Sequence, residues 1–168
     1  MMKIAFIGAG SLQFTTSCVR DLLTFPAFSA CEFALMDNNA DNLAAIVKIV
    51  RRLVAEMKCE KCRVTATTDR KQALKDADGV LCTVFNGDID VWENDILIPK
   101  KYGVDINVGD TRSVSGIFRA LRNIPLLLDI CRDIEKYCPR AVFLNYTNPM
   151  AMLCRAMQEA APEVTITG

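Results

Sequence analysis

The sequence predicts an α/β fold in which a doubly wound, mostly parallel sheet carries helices on both faces. Short β-rich runs alternate along the chain with segments of helical periodicity, and this alternation is typical of parallel sheets. The run at residues 79–85 is continuously apolar, as expected of a strand that is covered on both faces. The chain has 168 residues, of which 51% are hydrophobic and 24% charged, and this composition suits one domain over residues 1–168.

The first half of the chain contains three predicted strands, at residues 3–7, 32–36 and 63–67. A helical segment follows each of them: from Ser11 to about Leu23, residues 40–58, and a short turn from Asp69 to Lys75. Ser11 is a suitable N-cap for the first helix, and Pro26 ends it. The second helix carries apolar residues at the i, i+3, i+4, i+7 spacing of an amphipathic helix.

The second half adds three more predicted strands, at residues 79–85, 141–144 and 164–167. The predicted helices are residues 91–102, residues 117–137, and a segment from Pro149 to about Ala160. Gly103 ends the first of these helices. Pro125 is expected to kink or interrupt the second, because proline lacks the N–H group that the helix ladder requires.

The composition excludes several classes of protein. Lys and Arg together number 20, as do Asp and Glu, so the chain lacks the basic field that nucleic-acid binding requires. No apolar run approaches the ~20 residues of a membrane span, and the first strand begins without a secretory leader, so we expect a cytoplasmic protein. The sequence contains no histidine, which excludes a Ser-His-Asp triad or a His-ligated metal within these residues.

The eight cysteines are predicted to be reduced. Several lie in apolar stretches, where a free thiol packs as a small hydrophobic group. Cys59 and Cys62 have C-x-x-C spacing, but a zinc site would need a second pair. A redox motif would open a helix, whereas this pair falls at the end of one. We therefore interpret these thiols as incidental.

The first strand ends in Gly8-Ala-Gly10-Ser11, which is the beginning of a dinucleotide-binding motif. Gly8 permits a tight turn, and Gly10 lets a pyrophosphate approach the amides at the positive end of the next helix. Gln13 stands where a third glycine is usual, which weakens the motif without removing the phosphate cradle. The alternative is that the glycines end the strand for structural reasons alone.

Asp37 ends the second strand, where an acid can accept hydrogen bonds from the adenosine ribose hydroxyls. Its charge would repel a 2′-phosphate, so a Rossmann-like site that prefers NAD to NADP is predicted. The alternative is that Asp37 only starts a turn and caps the next helix. Because ligands bind beyond the carboxyl ends of parallel strands, Asn86 is a further candidate for contact with the cofactor.

Two polar loops follow later elements. Residues 145–149 contain Asn145 and Asn148, whose amide groups suit sugar hydroxyls, although a simple turn leading into the next helix is equally consistent with this loop. Residues 109–112 include Asp110 and form a charged loop before a helix, for which a solvated turn is the alternative.

Five features of the chain form a recognisable set: FIGAGS at 6–11, Asp37, IPKKYGV at 98–104, GDTRSVSGIFRALRNIP at 109–125 and LNYTNPMAM at 144–152. With them the chain resembles glycoside hydrolase family 4, the NAD- and divalent-metal-dependent glycosidases, and most of all its α-galactosidase branch. The resemblance extends over essentially the whole chain.

The resemblance implies an unusual glycosidase mechanism, outside the scheme that uses two carboxylates. The bound NAD⁺ removes hydride from C3 of the sugar, a base takes the acidified C2 proton, and the glycosidic oxygen is eliminated. Water then adds, and the hydride is returned. A divalent metal, expected to be Mn²⁺, acts as a Lewis acid on the sugar oxygens.

The resemblance also assigns residues to this chemistry. Those expected to contact the cofactor are Gly8, Gly10, Ser11 and Asp37, whereas Asn86 is a candidate only by its place at a strand end. Asn148 would bind sugar hydroxyls, Asn145 would shape the same pocket, and Asp110 would lie near the reacting centre. The metal ligands and a catalytic tyrosine of the family are expected beyond Gly168, so we expect no metal ligand within this chain and no glycoside hydrolysis by the chain alone. On this expectation the chain is either the amino-terminal part of a longer enzyme or a natural remnant that retains only the cofactor half.

Two other functions are consistent with the sequence, namely a fragment of an NAD-dependent hydroxy-acid dehydrogenase and a non-catalytic nucleotide-binding module. The sugar is also open among galactosides, glucosides and uronides. For the complete enzyme we expect a small-molecule glycoside as substrate, no nucleic-acid or membrane partner, and assembly as a homo-oligomer.

Overall fold

A computed structural model describes residues 1–107, 109 and 111–168 of the chain. Within them, six strands form the sheet: β1 (Lys3–Ile7), β2 (Glu32–Met36), β3 (Arg63–Thr67), β4 (Gly79–Cys82), β5 (Val142–Asn145) and β6 (Thr165–Thr167). The α-helices of the described residues are α1 (Leu12–Leu23), α2 (Ala40–Glu56), α3 (Arg70–Leu74), α4 (Ile89–Lys100), α5 (Val114–Tyr137) and α6 (Met150–Ala160). A 3₁₀ turn, Pro26–Phe28, follows α1.

The strands pair in parallel in the order β3-β2-β1-β4-β5-β6, which confirms the predicted α/β class. The chain winds outward from β1 to β3, returns to the centre, and then winds outward from β4 to β6. The strand order therefore reverses between β1 and β4, and this is the point at which doubly wound sheets bind ligands.

Helices α1 and α2 begin where a side chain can satisfy the free amides of the first turn. Ser11 caps α1 by accepting a hydrogen bond from the Phe14 amide, as predicted. Asn39 caps α2 through the amides of Asp41 and Asn42. Because each cap residue lies only a few residues after its strand, α1 begins shortly after β1 and α2 shortly after β2.

The helices on either side of residues 101–113 differ from the prediction at their starts. Helix α4 begins at Ile89 rather than at residue 91, because Asp88 accepts a hydrogen bond from the Val91 amide at 2.8 Å. Helix α5 begins at Val114 rather than at residue 117, because Ser113 caps it.

The predicted interruption at Pro125 is wrong, since α5 is one helix from Val114 to Tyr137. Pro125 leaves the carbonyl of Leu121 without its usual partner. Both residues are exposed, and Leu121 retains 63% of its accessible surface, so water can satisfy that carbonyl.

Strand β4 is shorter than predicted and ends at Cys82 instead of residue 85. Its last pairs join Cys82 to Ile7 on one side and to Asn145 on the other, and both neighbouring strands end at those residues. Residues 83–85 therefore leave the sheet. The other boundaries shift by one or two residues at α2, α3, the end of α4, β5 and β6, and the order of elements is unchanged.

The core has two layers, one on each face of the sheet. Alternate residues of β1 illustrate the division: Phe6 packs with α1 and α2, whereas Ala5 and Ile7 face α3, α5 and α6. All three side chains are nearly or fully inaccessible to solvent. In the described part of the chain, no helix is long and apolar enough to cross a membrane.

Buried thiols should make the fold less stable in alkaline solution. Burial raises the pKa of Cys82 to about 11 and that of Cys131 to about 12, whereas an unfolded thiol ionises near pH ~8.5. Above that pH the unfolded chain holds fewer protons than the native chain, so stability falls by roughly 1 kcal/mol per pH unit for each such thiol.

Denaturant titrations under reducing conditions, between about pH 7 and pH 10, should show this decline in stability. A Cys131→Val variant should show a shallower decline, and stability that is independent of pH would contradict the prediction.

Candidate functional site

A crevice of about 760 Å³ opens at the carboxyl ends of β1, β2 and β4, where the strand order reverses. We call it the switch crevice. The residues of its wall that bear on its function are Gly8, Gly10, Ser11, Asp37, Asn39, Thr83, Phe85 and Asn86. All five residues that the sequence suggested for cofactor contact lie in its wall. The structure thus brings together residues that follow the ends of β1, β2 and β4.

Gly8 turns the chain out of β1 in a conformation that requires glycine. Its φ is +85°, and a Cβ atom there would lie 2.9 Å from the carbonyl oxygen of Thr83. The Gly8 amide donates to the carbonyl of Met36 at 3.0 Å, and the Thr83 hydroxyl donates to the Gly8 carbonyl at 3.0 Å. The loop is therefore bonded to the ends of both β2 and β4.

Gly10 and Asp37 are in direct contact across the crevice. The Gly10 amide donates to Oδ2 of Asp37 at 2.7 Å, and the Asn39 amide donates to Oδ1 at 2.8 Å. A Cβ atom on Gly10 would lie only 2.6 Å from that Oδ2. The glycine thus leaves room for the carboxylate, and the two amides hold the carboxylate against the glycine loop.

The amino-terminal end of α1 adjoins the same loop through its cap, Ser11. Free amides and the helix dipole make this end favourable for a phosphate group. Gln13, which replaces the usual third glycine, is exposed and does not obstruct packing of the helix against the sheet. The glycine cradle, the helix end and the carboxylate together fit a dinucleotide such as NAD.

Asn86 is fixed by a network that the sequence did not indicate. Its Nδ2 donates to the carbonyl of Arg122 at 2.8 Å, and Nε of Arg122 donates to the carbonyl of Asn86 at 3.1 Å. The guanidinium also forms two bonds with Asp95, at 3.1 and 2.6 Å. These bonds and that carboxylate raise the pKa of Arg122. Asp95 lies in α4 and is only 6% exposed, so this ion pair connects the loop after β4 to α4 and α5.

A second wall of the switch crevice is aromatic. Phe85 follows β4, is half exposed, and lies beneath the guanidinium of Arg119, whose Cζ is 5.2 Å from the ring centroid. This cation–π contact between the loop and α5 keeps an apolar surface at the crevice.

Asn145 and Asn148 lie at a separate recess of about 370 Å³ beside the ends of β5 and β6. Asn145 is fully buried; its Nδ2 donates to the Thr147 carbonyl and its Oδ1 accepts from the Thr147 amide, each at 3.1 Å. Its side chain therefore shapes the loop rather than facing solvent. Asn148 is half-buried and precedes Pro149 through a cis peptide bond.

Asn123 of α5 is a neighbour of this loop that sequence reasoning missed. Its Nδ2 donates to the Asn148 carbonyl at 3.3 Å. The side chain is 1% exposed, and within the part of the chain that the structure describes its Oδ1 has no hydrogen-bond partner. The one signal in the sequence was that Asn123 is a polar residue within a largely apolar helical segment.

Asp110, the predicted residue near the reacting centre, lies outside the described residues. Of its loop, Thr111 and Arg112 are exposed, and the Gly109 carbonyl accepts a hydrogen bond from the Ser113 hydroxyl. Among residues 1–107, 109 and 111–168, no group of three or more His, Cys, Asp or Glu side chains could hold a metal ion. The described residues by themselves therefore do not fit a metal site.

Comparison with known proteins gives consistent matches. The family model described as "Family 4 glycosyl hydrolase" matches residues 3–168. An α-galactosidase of Rhizobium meliloti (strain 1021) is 44% identical over 178 residues, with 96% of this chain and 36% of that protein covered. An α-glucosidase of Erwinia rhapontici is 36% identical over 167 residues, with 99% of this chain and 37% of that protein covered.

One similar solved structure is the 6-phospho-β-glucosidase from Thermotoga maritima, with manganese, NAD⁺ and glucose-6-phosphate. It is 28% identical, its TM-score is 0.86, and the match covers 98% of this chain and 39% of that one. The chain thus spans little more than a third of the length of the relatives it matches.

Proposed function

Because this chain belongs to family 4 of the glycosyl hydrolases, we propose that it is the NAD-binding portion of a glycosidase that acts on α-galactosides. In the proposed reaction the enzyme oxidises C3 of the sugar, eliminates the glycosidic bond, adds water and reduces C3 again. The observation that carries the proposal is the contact between Gly10 and Asp37 in a crevice at the reversal of strand order.

The residues of the switch crevice have separate functions in this proposal. The start of α1 receives the pyrophosphate through the amides of its first turn, and Gly8 and Gly10 let the phosphates approach because they carry no side chains. Asp37 accepts hydrogen bonds from the adenosine ribose and disfavours a 2′-phosphate by charge. Ser11 caps the helix whose end faces the phosphates. When bound, the dinucleotide supplies the hydride acceptor and donor for the two redox steps.

The sugar would lie toward the recess at the ends of β5 and β6. We propose that Asn148 donates and accepts hydrogen bonds with sugar hydroxyls, while Asn145 holds the loop in place from below. We place Asp110 near the reacting centre as the family resemblance implies. The preference for α-galactosides is supported by the 44% identity to the Rhizobium α-galactosidase, and α-glucosides are the alternative because the Erwinia enzyme is 36% identical.

We further propose that Mn²⁺ acts in the complete enzyme and that its ligands lie outside this chain. Support for manganese comes from its presence in the similar Thermotoga structure. The free cysteines agree with a reducing, cytoplasmic location. An apolar groove of about 360 Å³, lined in part by Leu81 and Leu144, supports assembly into a homo-oligomer.

A comparison of this chain with a full-length version, here called the complete protein, tests the proposed function. We expect residues 1–168 to bind NAD and to release no aglycone from an aryl α-galactoside. The complete protein, with NAD and Mn²⁺, should cleave that substrate and should oxidise no 2-hydroxy acid. Oxidation of hydroxy acids would favour the dehydrogenase alternative. Chelator-sensitive hydrolysis by residues 1–168 alone would contradict the assignment of the metal ligands to another part of the protein.

A further inference from the structure

Two cysteines from different loops meet at the amino-terminal edge of the sheet, away from the switch crevice. Sγ of Cys31 lies 3.9 Å from Sγ of Cys62. Cys31 immediately precedes β2 and Cys62 immediately precedes β3, and the Arg63 amide donates to the Cys31 carbonyl at 2.9 Å. Glu32 is paired with Arg63 in the sheet register, so the two cysteines are opposite each other one position earlier.

This register brings the two cysteines to the separation that a disulfide needs. Adjacent strands lie about 4.8 Å apart, and disulfides join residues whose Cα atoms are about 4.4–6.8 Å apart. The sulfur atoms must approach from 3.9 Å to about 2.0 Å, which side-chain rotation can supply without moving the strands. The backbone is thus already arranged for the bond.

We propose that Cys31 and Cys62 are a site of oxidative modification at which a hydroperoxide produces an intramolecular disulfide between the entries to β2 and β3. In the first step the Cys62 thiolate attacks the peroxide, which gives Cys62 sulfenic acid and water once the released hydroxide is protonated. The Cys31 thiolate then attacks that sulfur and expels hydroxide. In sum, two thiols and one hydrogen peroxide give one disulfide and two waters.

The environments of the two thiols determine the order of these steps. Cys62 is half-buried and so can meet the oxidant, whereas Cys31 is fully buried. Burial, and then the adjacent Cys62, raise the pKa of Cys31, so it reacts second and only after losing its proton. The disulfide should therefore form faster as the pH rises.

The C-x-x-C pair, Cys59 and Cys62, is not arranged to form a disulfide in the same way. Sγ of Cys59 is directed to the carbonyl of Met57 at 3.5 Å, whereas Sγ of Cys62 donates to the carbonyl of Phe28 at 3.2 Å and contacts Cys31. The thiol of Cys62 thus points across the sheet edge instead of back along its own turn. The C-x-x-C spacing, interpreted as incidental from the sequence, therefore gave no indication of this contact with Cys31.

Peptide mapping can distinguish the two pairings, because trypsin separates all three cysteines. Cleavage gives residues 21–48 with Cys31, residues 59–61 with Cys59 and residues 62–63 with Cys62. The reduced chain would be treated with hydrogen peroxide, blocked with an alkylating agent while denatured, and digested without reduction. We expect residues 21–48 to be linked to residues 62–63, with a loss of two hydrogen atoms in mass.

Three variants provide the controls. Cys62→Ser and Cys31→Ala should each reduce the linked peptide by at least about tenfold, whereas Cys59→Ser should leave its yield within about twofold. Cys62 is only half-buried, so Cys62→Ser should disturb packing less than Cys31→Ala. It therefore still tests the proposal if Cys31→Ala folds poorly. A link between residues 59–61 and 62–63, or overoxidation of Cys62 without a link, would overturn the proposal. NAD affinity of the oxidised chain should stay within about twofold of the reduced chain, because the cysteines lie at the opposite edge of the sheet from the crevice.

Discussion

Replacement of Asp37 by alanine is expected to weaken NAD binding by about 10- to 100-fold, which corresponds to roughly 1.5–3 kcal/mol for hydrogen bonds to a charged group. The carboxylate is held by the amides of Gly10 and Asn39 at the wall of the switch crevice, where the proposed function puts the adenosine ribose. Titration calorimetry with NAD on the wild-type and Asp37→Ala chains measures the loss directly.

The NAD-to-NADP ratio separates ribose recognition from a purely structural effect. If Asp37 binds the ribose, Asp37→Ala should lose NAD affinity while NADP affinity falls less or rises, because the repulsion of the 2′-phosphate is removed. A structural defect would weaken both cofactors alike. Asp41→Ala is a suitable control, since this acid is exposed in the first turn of α2 and should leave both affinities nearly unchanged. Equal NAD affinity in the wild-type and Asp37→Ala chains would remove Asp37 from the site.

Replacement of Arg122 by methionine is expected to lower the free energy of unfolding by about 2–3 kcal/mol, and the Tm by roughly 5–10 °C. The variant leaves the carboxylate of Asp95 buried without its partner, and that side chain is only 8% exposed. The expected loss is smaller than for a fully buried pair because the side chain of Arg122 is 25% exposed. Denaturant unfolding at neutral pH provides the measurement.

A double variant distinguishes the buried charge from the other contacts of Arg122. Combining Arg122→Met with Asp95→Leu should restore most of the stability, since no unpaired carboxylate remains. NAD affinity should stay reduced by a few fold in both variants, because Asn86 has lost the bond from Nε of Arg122. Arg132→Met is the matched control: its ion pair with Asp129 is exposed and should contribute less than about 1 kcal/mol. A double variant as unstable as the single one would show that the buried charge is not the cause.

The ion pair also shows which parts of the site the sequence could predict. Gly10 and Asp37 were identified because each lies at the end of a strand, and the glycine motif has a known spatial relation to the acid that follows the second strand. Asn86 was placed at the crevice by the same rule. Its partners Arg122 and Asp95 were not, because they lie on helices whose facing surfaces are set by packing rather than by a local pattern.

The sequence by itself determined the order of strands and helices, the class of fold and the positions of the glycine loop and Asp37, because these depend on local hydrophobic periodicity, capping residues and strand ends. Tertiary structure alone decided where β4 ends, since both neighbouring strands end beside Cys82. It also decided that α5 continues through Pro125 and that the thiol of Cys62 lies against the thiol of Cys31. For β4 and for Cys62 the determining group is distant in the chain, so only packing brings it into contact. For Pro125 the determining factor is solvent exposure, which also depends on how the helix packs.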